Sequence, residues 1–69
     1  MNYLVVYEKA ATGRSAYVPD LPGVITTART RQETHKLIRE AIEFHLEGLR
    51  EDDLPIPEPT ASAEVVQVS

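Results

Sequence analysis

The side chains able to move protons or hold a metal are few and scattered. They are Asp20 in a proline-rich stretch, His35 and His45, and Glu8 and Glu64 near the ends of apolar runs. The two histidines fall nearly three turns apart on one helix, a spacing that cannot close on one ion as an i,i+4 pair does. There is no cysteine, which excludes disulfides and thiolate metal sites. Two-metal nuclease chemistry needs several convergent carboxylates, and the strands offer only Glu8 and Glu64. Asp20 lies in Pro19-Asp20-Leu21-Pro22-Gly23. An aspartate there is first of all a turn residue, because its carboxylate bonds to backbone amides two residues on. His45 falls near the centre of an apolar helical stripe. As a general base it lacks a serine, cysteine or acid placed by sequence to form a dyad with it. The structural role, a neutral ring packed with its nitrogens satisfied, is preferred. No Gly-rich phosphate loop is present. No catalytic residue, cofactor or metal is expected.

The elements that carry these residues follow from pattern. Tyr3 to Tyr7 is β-branched and aromatic and reads as a strand. Ala10-Ala11-Thr12-Gly13 is a hairpin connection in which Gly13 is free to take positive φ. Arg14 to Val18 returns as a second strand. Pro19 and Pro22 cannot donate to a ladder and interrupt the sheet, and Val24 to Ala28 is the third strand. Thr30 and Glu33 form a capping box. The helix it opens runs from about Arg31 to about Arg50. Leu37, Ile38, Ala41, Ile42, His45, Gly48 and Leu49 share its broad apolar face. Gly48 weakens a helix, so its place on that face suggests a close approach of helix to sheet. Glu43 and Glu47 face Arg39 and Arg50 as solvent-side pairs. Residues 51–60 are acidic and then proline-rich, with Pro55, Pro57 and Pro59 at alternate positions. They read as a stiff connector to a last strand, Ala63 to Val68.

This order, β-β-β-α-β, predicts an α+β fold: a two-layer α/β sandwich with the first three strands as an antiparallel meander. A right-handed crossover puts the last strand parallel to the first, in sheet order 3-2-1-4. One helix leaves one sheet face open. If the helix covers Leu4 and Val6, then Tyr3, Val5 and Tyr7 lie on the open face. A continuous apolar patch there reads as a protein-binding surface.

The chain has 69 residues, which makes it a single domain with a small core. Without disulfides or metal, self-association is the remaining support, as a dimer or a dimer of dimers with the sheet in the contact. The formal charge of −4, from 7 basic and 11 acidic residues, argues against direct nucleic-acid binding and for docking on a basic partner. No apolar run approaches membrane-spanning length and no signal-peptide pattern opens the chain, so no membrane contact and a cytoplasmic location are expected.

Taken in order, four stretches resemble the HicB antitoxin family over residues 3–68. They are the Tyr-Val-Pro-Asp-Leu-Pro-Gly turn of 17–23, the Thr30 to Glu33 helix start, Ala41 to Leu49, and the acidic Pro-Ile-Pro-Glu-Pro region of 51–59. The resemblance implies a truncated ribonuclease-H-like unit, similar in shape only. It implies a non-enzymatic antitoxin that binds and blocks HicA, a small basic mRNA-cleaving toxin. An acidic antitoxin facing a basic toxin is electrostatically complementary. Tyr17, Pro19, Asp20, Leu21 and Pro22 are the candidate partner contacts. Many members of the family continue into a C-terminal DNA-binding domain. No basic helix follows Pro59 here, so direct autorepression is not expected. The alternatives are an orphan oligomerisation module without a toxin and, more weakly, a small hydrolase using Asp20 and His45.

Overall fold

Two proline turns in succession organise the core. In the computed structural model, which describes residues 1–69, the Leu21 N–H donates to the Val18 carbonyl at 3.0 Å and the Val24 N–H to the Leu21 carbonyl at 3.1 Å. Each turn has proline at its second position, where a fixed φ suits the geometry. The second turn places Gly23 at its third position with φ 88°, the left-handed value that a type II turn requires there. Val18 then closes the loop by donating to the Val24 carbonyl at 3.2 Å. The result is that Leu21, at the tip between the prolines, is driven inward and fully buried.

Three strands form an antiparallel meander in the order β1-β2-β3: β1 (Val6–Ala10), β2 (Gly13–Tyr17) and β3 (Ile25–Ala28). Helix α1 (Arg31–Glu51) packs across one face, over β2 and β3. The buried core is Ala16, Val18, Leu21, Val24 and Ile38, with Tyr3, Val5, Tyr7, Ala41, Ile42 and Leu46 packed around it. The architecture is α+β, a three-stranded antiparallel sheet with one covering helix.

The hairpin glycine acts through space rather than through φ. Among glycines only Gly23 has positive φ. Gly13 is needed because a Cβ there would fall inside contact distance of the Ala28 carbonyl oxygen and 3.0 Å from Arg29 Cα. Strand β3 therefore lies against the bare backbone of β2 at this point.

Both ends of the helix are locally closed. The Thr30 hydroxyl accepts the Glu33 N–H at 3.1 Å and lies 3.1 Å from the Glu33 carboxylate, to which it donates. At the C-terminus the Asp53 N–H reaches the Arg50 carbonyl and the Leu54 N–H the Leu49 carbonyl. That pair of bonds is a Schellman motif, with Asp53 at φ 54° in the position that usually holds glycine. On the helix surface, Arg39 pairs with Glu43 at 3.1 Å, both well exposed. Such a pair contributes about 0.3–0.5 kcal/mol.

Further expectations are corrected. The first strand runs over Val6–Ala10 rather than Tyr3 to Tyr7. Residues 63–68 form no strand. After Leu54 the chain runs without regular structure to Ser69, so the sheet has three strands and β1 remains a free edge. The helix covers the opposite set of β1 side chains. Tyr7 pairs directly with Ala16, paired residues point to one face, and Ala16 is completely buried under the helix. Tyr3, Val5 and Tyr7 therefore lie on the helix side, and Leu4 and Val6 on the open side. Gly48 makes no close approach, for a Cβ there would meet open space. It shares an outward stripe with Leu37 and Phe44, which are 41% and 80% exposed.

Candidate functional site

The open sheet face is built by register. Val6 pairs with Tyr17, and Tyr17 with Ile25, so the three side chains form one row across all three strands. They point away from the helix because their neighbours Tyr7, Ala16 and Thr26 point toward it. Ile25 is 63% exposed and Tyr17 36%. At the end of this row the exposed rings of Pro19 and Pro22 extend the apolar surface along the double turn. Glu8, Ser15 and Thr27 form the next row and give the patch a polar border.

Of the five candidate contacts in the double turn, the structure leaves three available. Tyr17, Pro19 and Pro22 are exposed, whereas Leu21 belongs to the core. Asp20 is occupied. Its carboxylate accepts the Thr60 N–H at 3.0 Å, the Thr60 hydroxyl at 2.9 Å and the Ala61 N–H at 3.0 Å. This is not the local turn bond expected of it, since the donors lie some forty residues along the chain. The amide of Ala61, ahead of the Thr60 donors, holds the Asp20 carboxyl below the usual carboxylate range.

A second surface lies on the helix side. Tyr3, Val5, Ile38, Ile42 and Leu46 line a groove of 460 Å³ between the N-terminal segment and α1. Beside it the Tyr7 hydroxyl is 3.0 Å from His35 Nδ1, and the Arg31 guanidinium stacks over the Tyr7 ring at 4.3 Å. The latter is an exposed cation–π contact worth about 0.5–1 kcal/mol. The histidine with a side-chain partner is thus His35. His45, expected to pack with its ring nitrogens satisfied, is instead half-buried on the second half of the helix, and its ring makes no hydrogen bond within the protein. The buried polar position of the helix is Thr34, whose hydroxyl donates to the Thr30 carbonyl at 2.7 Å and lies 3.4 Å from the Arg14 carbonyl.

Val6, Ile25 and Thr34 are the positions that sequence pattern missed. The signal for the first two was present in the small residue Ala16, which marks where the helix comes closest and so fixes which face is open. No group of three or more acidic or histidine side chains is gathered to hold a metal. No helix is long and apolar enough to cross a membrane. The exposed features of the domain are an apolar cross-strand row, a groove, and an acidic helix end at Glu47, Glu51, Asp52 and Asp53.

Comparison with known proteins agrees with this class. A family model described as HicB-like antitoxin of bacterial toxin-antitoxin systems matches residues 3–69. The chain belongs to the HicB-like antitoxin family. It is also 40% identical over 57 residues to an uncharacterised 14.9 kDa protein from the rep-hol intergenic region of Haemophilus phage HP1. That match covers 83% of this chain and 43% of the phage protein, so the chain spans less than half of that relative's length.

Proposed function

We propose that this chain is the toxin-binding module of a HicB-like antitoxin, acting by contact and without catalysis in the cytoplasm. Its partner is a small basic HicA-type mRNA-cleaving toxin. The observation that carries the reading, beside family membership, is the row Val6-Tyr17-Ile25 on an uncovered sheet face. Apolar and aromatic side chains at the centre of a patch with a polar border are the anatomy of a specific protein interface. The charge of −4, with acidic residues gathered at the end of α1, favours a basic partner and speeds the encounter. Pro19 and Pro22 add rigid contact area next to Tyr17. Both oxygens of Asp20 are already engaged by the tail, which speaks against a hydrolase built on that residue. The module also self-associates, as a dimer or tetramer, consistent with its small core. A truncated ribonuclease-H-like sheet is the architecture this reading assigns to it.

The test is binding to a purified HicA-type toxin by calorimetry. Ile25→Lys and Tyr17→Lys should each weaken binding at least tenfold. The thermal midpoint should stay unchanged for Ile25→Lys, whose side chain is 63% exposed, and fall modestly for Tyr17→Lys, which is 36% exposed between Val6 and Ile25. Unchanged affinity in both variants would assign the toxin contact to another surface. No binding by the parent chain would favour an orphan oligomerisation module.

A further inference from the structure

We propose that the last residues of the chain, Ser62 to Ser69, are an exchanged strand: in solution each copy lays this arm along the free edge of β1 in a second copy. The proposal rests on the self-association put forward above and assigns its structural basis.

The arm is unpartnered yet built like a strand. Val65, Val66 and Val68 are 98%, 67% and 80% exposed. No hydrogen bond involves any residue beyond Ala61. Three of the eight residues are β-branched valines and Glu64 is the one charged side chain, so little guards the segment against pairing. The projection is visible in the shape of the molecule. The radius of gyration is 13.5 Å, against about 11 Å for a compact chain of this length.

The arm is led away from its own β1. The Tyr3 hydroxyl donates to the Pro57 carbonyl, which fixes the chain at the start of the β1 line. Three residues later Asp20 holds Thr60 and Ala61. Asp20 lies in the double turn that joins β2 to β3, at the same end of the sheet as the start of β1. Between these two anchors the chain therefore crosses the sheet end from β1 toward β2. To reach its own β1 edge the arm would have to reverse that crossing. A neighbouring copy imposes no such reversal.

The receiving site is complete in side chains and lacks only a strand. β1 pairs on one side alone. The groove next to it is floored by Tyr3, Val5, Ile42 and Leu46. Val66 and Val68 are two residues apart and project to the same face of a strand, with Glu64 beside them. Two valines then enter the apolar groove, while Glu64 meets Arg50 at a rim where Arg39 is already paired with Glu43. Val65, on the other face, joins Leu4 and Val6. Exchange between two copies satisfies both edges and closes with two-fold symmetry. Each sheet gains a fourth strand, next to β1.

The test uses the full chain and two variants, a chain ending at Ala61 and Val66→Pro, in sedimentation velocity at micromolar concentration. The full chain should sediment as a dimer or a multiple of it, and both variants with half the mass or less and an unchanged helical circular dichroism signal. Because the chain has no cysteine, Val68→Cys can carry a single spin label. Mixed with isotope-labelled chain, it should broaden the amide signals of Tyr3 to Tyr7 in the other copy. A monomeric full chain would overturn both self-association and exchange. A dimer that survives truncation and Val66→Pro would overturn exchange while leaving self-association standing. Broadening confined to the spin-labelled chain itself would show the arm folding back, and would overturn the proposal equally.

Discussion

The Asp20 carboxylate holds the backbone N–H and the hydroxyl of Thr60, at 3.0 and 2.9 Å, across forty residues of sequence. Together with the Ala61 N–H this is the one polar clasp between the double proline turn and the C-terminal segment. It determines the direction in which the chain leaves the domain. A residue expected to shape its own turn is instead the anchor for a distant one. The turn needs no help from the Asp20 side chain, because Pro19, Pro22 and Gly23 already supply the required backbone angles.

The clasp should respond to acid. Accepting these hydrogen bonds favours the charged carboxylate, so the Asp20 pKa in the folded chain lies below its unfolded value. Its contribution is therefore complete above the ordinary carboxylate pKa and is lost as pH falls through the lowered one. The Thr60 and Ala61 amide resonances should move toward coil positions together over that acid range. Asp20→Asn, with a weaker neutral acceptor, should show the released positions already at neutral pH. Resonances that are unaffected by Asp20→Asn would show that the clasp does not form in solution.

The buried hydroxyl of Thr26 has no hydrogen-bond partner. It lies on the inner face of β3, opposite Ala16. Burying an unpaired hydroxyl costs about 1–3 kcal/mol. Thr26→Val keeps the shape and the β-branching and removes the oxygen. The variant should be more stable by about 1 kcal/mol or more, read as a higher midpoint in urea at unchanged slope. A lower midpoint would mean that Thr26 has a partner, such as an ordered water.

Much of this fold was legible in local chemistry. Thr30 and Glu33 marked the helix start, and the helix ends within one residue of its expected limit. The prolines and Gly23 marked the break between β2 and β3. The facing of β1 was not legible, because Tyr3, Val5 and Tyr7 are as apolar as Leu4 and Val6. Binary patterning cannot orient a strand that is apolar on both sides. The tyrosine hydroxyls reach the His35 ring and the Pro57 carbonyl, partners remote in sequence. The fate of residues 63–68 was illegible for a related reason. A β-branched run declares that it can pair, not with which chain. Of the partner contacts expected from the turn motif, Tyr17, Pro19 and Pro22 are exposed. Ile25 was missed because its exposure follows from the register with Tyr17. Leu21 was mistaken for a surface residue because the inward drive of a double turn is a tertiary effect.

The glycines Gly13 and Gly48 should respond oppositely to the same substitution. Gly48 sits inside α1 with open space where a Cβ would go. Nothing opposes the helix propensity of alanine there, so Gly48→Ala should stabilise the domain by about 1 kcal/mol. Gly13 has an ordinary negative φ, and alanine could adopt its backbone angles. The obstacle is the Ala28 carbonyl and Arg29 Cα of the neighbouring strand, both backbone, which cannot rotate aside. Separating β2 from β3 would also disturb the Arg14↔Ala28 pair next to it. Overpacking of this kind costs about 1–3 kcal/mol, and Gly13→Ala should fall within that range or above it. Thermal unfolding of the two variants beside the parent chain gives the answer. The expected order of midpoints is Gly48→Ala highest, parent between, Gly13→Ala lowest. A Gly48→Ala variant less stable than the parent would show that this stretch of helix packs against something in solution, and the stripe it shares with Leu37 and Phe44 would be the surface to search.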